Sequence, residues 1–108
     1  MGPSRLERLP RRRVGGRVTV YVAASFRARL LGLAGLREMP PGAALLIPRC
    51  SSVHTFGMRF PIHVVFLDGA FEVISERRAV KPGRIVGHRG ARAVVEFQAE
   101  EPTSPDNR

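Results

Sequence analysis

A chain of 108 residues that is 44% hydrophobic, with no Trp and one Cys, builds one domain with one modest core and excludes an internal disulfide. Its formal charge of +9 rests on seventeen Arg and one Lys, a balance that speaks to anion association rather than to fold. The apolar runs fall short of the ~20 residues a bilayer crossing needs; no apolar leader follows the basic start, so a soluble, cytoplasmic protein without a membrane partner is expected.

Residues 1–16 read as a flexible basic arm, with two Pro, a Gly-Gly pair and the run Arg11-Arg12-Arg13. Together with Arg17 these arginines are a candidate nucleic-acid contact surface, the plain alternative being a solvated tail. Residues 17–99 read as a single β-rich domain, and residues 100–108 as an acidic, frayed tail.

Val18, Val20 and Val22 alternate with Thr19 and Tyr21, which predicts a strand over 17–23. Ser25 is a fitting N-cap for a helix FRARLLGLAG, with Phe26, Leu30 and Leu33 on one face and Gly35 as its stop. Pro40-Pro41-Gly42 fixes a turn. Residues 43–47 are a buried strand by their continuous apolar run, and residues 53–56 a short strand that Gly57 interrupts. IHVVFL (62–67) is apolar on both faces, the pattern of a covered strand.

Asp68-Gly69 signals a hairpin. The return strand over 71–80 loses its alternation at Ile74, where a bulge would restore it. Residues 85–90 read as irregular, and ARAVVEFQ (91–98) as a closing strand. About five strands and one helix, joined by tight turns, predict a mainly β (α+β) fold: a small antiparallel sheet curled into a partly open barrel with one short helix.

Three segments carry a family resemblance: RARLLGLAGLREMPPGAALLI, SVHTFGMRFPIHVVFLD and GARAVVEF. Together they resemble the domain-of-unknown-function 192 family, whose centre pairs an aromatic-Met-basic step with Pro-Ile/Leu-Asp and an apolar strand. The resemblance implies strands around a short helix and a shared pocket, and it implies no particular reaction. His63 stands where the family has Asp, and Phe56 where many members carry a Trp-Met pair. Many relatives of the family are exported.

Cys50, His54, Thr55, Phe56, Met58, Arg59 and His63 form the candidate pocket. Thr55, Arg59 and His63, with Arg29 or Arg37, would line an anion or carboxylate site. Cys50, His54 and Met58 at i, i+4 and i+8 are soft ligands, but four residues of strand separate neighbours by about 13 Å, so no metal or other cofactor is assigned. Cys50 with His54 or His63 would be a nucleophile–base pair, and without an orienting acid or oxyanion motif no catalytic residue is assigned. The expectation is a small monomeric binding or accessory domain for a small anionic ligand or peptide. The alternatives are nucleic-acid association through the arm and a metal- or thiol-dependent enzyme at Cys50 and His54.

Overall fold

The computed structural model describes residues 5–99. A 3-10 turn (Arg5–Arg8) precedes β1 (Arg11–Val14), β2 (Val18–Val22), α1 (Phe26–Leu31), β3 (Ala43–Pro48), β4 (Ser52–His54), β5 (Ile62–Leu67), β6 (Val73–Val80), β7 (Ile85–Gly87) and β8 (Ala93–Gln98). Six strands form one sheet in the order β1-β2-β3-β8-β5-β6, and β4 pairs with β7 in a separate ribbon. The protein is mainly β, as its alternating segments predict, but the sheet is open and not closed into a barrel.

Three expectations are corrected. The sheet is not wholly antiparallel, because β2 and β3 run parallel, Tyr21 beside Leu45, with α1 in the crossover that a parallel pair requires. Part of the expected arm is built into the sheet: β1 pairs with β2 from Arg11↔Tyr21 to Val14↔Val18. Gly15 and Gly16 take φ of 63° and 76° in the intervening turn, a conformation glycine adopts without steric cost. Finally, residues 85–87, read as irregular, are strand β7. Residues 100–108, expected as an acidic tail, lie outside the described residues.

Ser25 caps α1, its Oγ accepting from the Ala28 amide at 3.0 Å. The helix ends at Gly32 (φ 54°, ψ −129°) rather than at Gly35, which leaves α1 six residues long and dependent on its cap. Ser25→Ala should cost about 1 kcal/mol in chemical denaturation, the usual loss for an N-cap hydroxyl; a change within experimental error would mean that packing alone holds this turn.

The predicted hairpin joins β5 to β6, with Asp68 Oδ1 accepting from the Ala70 and Glu72 amides at 2.8 and 2.9 Å. The bulge is where the lost alternation put it: Phe66 faces Ser75 and Leu67 faces Val73, so Ile74 is the extra residue. A second register shift lies between Ile62 and Val64, and there Ala79 (φ 53°) donates its amide to His63 Nδ1 at 3.0 Å.

The two faces of the sheet differ. Tyr21, Leu45, Ile47, Val94, Glu96, Ile62, Val64 and Phe66 share one face and are all buried. Ala28, Leu33, Leu36, Val53, Met58, Phe60 and Val86 pack into the same core. The other face, with Val18, Val20, Val95, Phe97 and His63, is covered far less and borders a groove of about 920 Å³.

Candidate functional site

β8 alternates, and Val94 and Glu96 therefore point the same way, into the covered face. Glu96 lies between Leu45 on β3 and Val64 on β5 and is 1% exposed. Burial among apolar neighbours raises its pKa from 4.5 to about 8, because desolvation disfavours the charged carboxylate. At neutral pH this side chain is a carboxylic acid, a donor as well as an acceptor.

Above Glu96 is a cavity of about 220 Å³, lined by Arg29 and Gly32 from the α1 end, Ile47 from β3, Ser52, Val53 and His54 from β4, and Ile85 from β7. Gly32 makes the room. A Cβ there would lie 3.1 Å from Glu96 Oε1 and 3.7 Å from the Met58 methyl, on a backbone with φ of +54°. Its left-handed conformation, which ends the helix, thus also opens the space over the acid.

Among the described residues three buried side-chain polar atoms have no hydrogen-bond partner: Arg29 Nε, His88 Nδ1 and Glu96 Oε1. Two of the three belong to residues of this one cavity. Buried polar atoms are rarely left unpaired, because each costs ~1–3 kcal/mol. Arg29 is held from its other end, Nη2 donating to the Arg49 carbonyl at 3.3 Å. The site thus places a guanidinium and a neutral acid around one small space, with Ser52 and His54 as its other polar lining residues.

The residues read as a pocket from sequence divide. His54 lines the cavity; its Nδ1 accepts from the Phe56 amide at 3.1 Å, which puts the proton of a neutral ring on Nε2. Phe56 stacks on His54 with ring centroids 5.8 Å apart and is 52% exposed. Met58 is buried beside Gly32. Cys50 is half-buried, its thiol donating to the Ser52 carbonyl at 3.1 Å. Arg59 is exposed.

Thr55 is fully buried, and its hydroxyl donates to the Lys81 carbonyl at 2.7 Å while accepting from the Arg84 amide at 2.8 Å. It ties the end of β4 to the turn before β7. His63 lies on the opposite face, tilted against Phe97 at 5.2 Å and bordering the larger groove. The structure does not bring it to the other six. Among the described residues no group of three His, Cys, Asp or Glu is placed to hold a metal ion, and no helix is long and apolar enough to cross a membrane.

Sequence reading missed Glu96 and Gly32, though it set Arg29 beside an anion site. The available signal was a single acid between Val95 and Phe97 in a closing strand. On β1, Arg11 donates to Glu7 at 3.1 Å and stacks over Tyr21 at 5.5 Å, and Arg13 donates to the Gly16 carbonyl at 2.7 Å; Arg12 on β1 and Arg17 just before β2 are exposed.

The model of the DUF192 family, described as "Uncharacterized ACR", matches residues 9–103. Two solved structures have a similar fold. One, from Sinorhizobium meliloti 1021, is described as "a putative transcription regulator"; it is 21% identical, with a TM-score of 0.70, over 76% of this chain and 69% of that one. The other is a protein of unknown function from Novosphingobium aromaticivorans DSM 12444, 15% identical, with a TM-score of 0.68, over 82% of this chain and 70% of that one. At these identities the likeness shows a shared fold alone. No curated protein matches the chain.

Proposed function

This chain belongs to the domain-of-unknown-function 192 family, and on that premise we propose that it is a small-ligand binding domain whose site is the cavity over Glu96. Its guest enters between α1 and the β4–β7 ribbon and meets Arg29, His54 and Glu96. The observation that carries the reading is Glu96 Oε1, buried, unpartnered and beside an open cavity. An ionisable group kept this way lowers stability, and such groups concentrate at functional sites. The apolar walls from Ile47, Val53 and Ile85 with a few convergent polar groups match the usual composition of ligand sites.

The test is amide chemical-shift mapping against a library of small acids, amines and amides. Guests are expected to move Gly32, Ser52, His54 and Glu96 and to leave His63 and Phe97 still. Shifts confined to the His63 face would move the site to the larger groove, and a library without hits would remove the reading.

The second reading is nucleic-acid association, favoured by exposed Arg12 and Arg17 beside the edge strand β1. It requires affinity that falls steeply with salt, because phosphate contacts release counterions. Arg12→Gln with Arg17→Gln would weaken such binding without touching the cavity.

A further inference from the structure

We infer that the guest of this cavity is a small monocarboxylate with an apolar substituent, bound together with one proton between Arg29 and Glu96. The inference rests on the site proposed above and names its ligand class.

Arg29 and Glu96 line one cavity, yet each keeps a buried polar atom unpartnered. A guanidinium and a buried carboxyl that line one cavity ordinarily hydrogen-bond to each other. No ion pair between them is formed among the described residues, which leaves a donor and an acid waiting on something that bridges them. A guest carboxylate fits both ends. One oxygen accepts from the guanidinium, whose planar fork matches a carboxylate. The other accepts a short hydrogen bond from the protonated Glu96. Nothing is transferred: the proton stays in the acid–carboxylate bond, and the guest brings one negative charge to one cation.

The chemistry selects against other classes. An ammonium guest would need ionised Glu96 and would lie beside the Arg29 charge. A phosphate dianion would bring a second negative charge against one guanidinium and a buried acid. Glu96 meets Arg29 from α1 and His54 from β4 as the charged or titratable groups of the cavity. Its other lining residues, Gly32, Ile47, Ser52, Val53 and Ile85, carry no charge, nor do its strand neighbours Leu45 and Val64.

The rim supplies the second half of the inference. Ile85 is 69% exposed and Phe56 is 52% exposed. His54 is directly opposite Ile85 in the ribbon and stacked with Phe56. An apolar group on the guest would cover this edge and leave the carboxylate inward. A cavity of about 220 Å³ keeps the guest small.

The experiment is titration calorimetry of the full chain with benzoate, benzamide, benzylamine and inorganic phosphate at pH 6.5, 8 and 9.5. Benzoate is expected to bind and to take up a proton at the higher pH values. Its affinity should fall about tenfold per pH unit above the range where Glu96 ionises. Arg29→Met should weaken it more than tenfold. Glu96→Gln should retain binding through its amide N–H and lose the pH dependence, a result that a merely structural role for Glu96 would not give.

Benzylamine binding that strengthens with pH, or phosphate binding tighter than benzoate, would overturn the carboxylate class and leave the site standing. Benzamide equal to benzoate would do the same. Failure of all four probes to bind or to move Glu96 would overturn both the ligand class and the site.

Discussion

Replacing Glu96 with Gln should make the protein more stable at pH 7, by about 2–3 kcal/mol. The pKa of Glu96 rises from 4.5 in the unfolded chain to about 8 in the folded one. Below pH 4.5 both states hold the proton, and the acid contributes no pH dependence. Between 4.5 and 8 the folded protein keeps a proton that the unfolded chain has released, so stability falls as pH rises through that window and levels off above it. One pH unit is worth ~1.4 kcal/mol, which puts the penalty at pH 7 near ~3 kcal/mol. Glutamine has the same shape and cannot ionise, but it still buries a polar amide, which takes back part of the gain.

Urea unfolding of both proteins at pH 5, 6, 7 and 8 would measure the difference. The variant's advantage should grow across the series. A constant difference would show that Glu96 is not held as a buried acid, and the cavity would lose its chief argument. A saturating guest that binds the protonated acid would recover stability in the wild type by mass action.

Thr55→Val should be the second large effect, a loss of about 2 kcal/mol, since a fully buried hydroxyl loses both the hydrogen bond it donates and the one it accepts, at ~1 kcal/mol each. The hydroxyl donates to the Lys81 carbonyl and accepts from the Arg84 amide. The Thr55 amide itself donates to the Arg84 carbonyl at 2.8 Å, and the Thr55 carbonyl accepts from the Gly83 amide at 3.0 Å. These bonds hold the β4–β7 ribbon, one wall of the cavity, in place. Valine keeps the volume and removes only the hydroxyl. Thr55→Ser keeps the hydroxyl and loses one buried methyl, worth about 0.8 kcal/mol. Equal midpoints for the two variants in denaturant would show that the hydroxyl is not the fastener. Thr55 was read from sequence as a pocket residue, and its hydroxyl is instead committed to the backbone.

Local features were legible where chemistry is local. Ser25 caps its helix, Asp68-Gly69 turns its hairpin, the strand at Ile62–Leu67 has the predicted bounds, and the bulge falls at Ile74. The family could be read as well, because its motifs are contiguous. The open, partly parallel sheet could not, since it depends on which distant strands meet. Nor could β1: Arg11-Arg12-Arg13 has the composition of a loose arm, and pairing with β2 supplies the ordering that its side chains do not.

The site shows the same division. Alternation in β2 and β8 fixed which residues share a face: Val18 with Val20, Thr19 with Tyr21, Val95 with Phe97, Val94 with Glu96. The valines of β2, and Val95 with Phe97, are the more apolar set. The structure buries the other set, with Tyr21 and Glu96 inside. The sequence by itself determined most of the strands, the N-cap at Ser25, the turn at Asp68-Gly69 and the family. Only the tertiary structure decided which side of the sheet α1 and the β4–β7 ribbon would cover, and so turned Glu96 from a surface acid into the floor of a cavity. A strand's pleat is a property of its own backbone, whereas the face that loses its water is set by whatever packs against it.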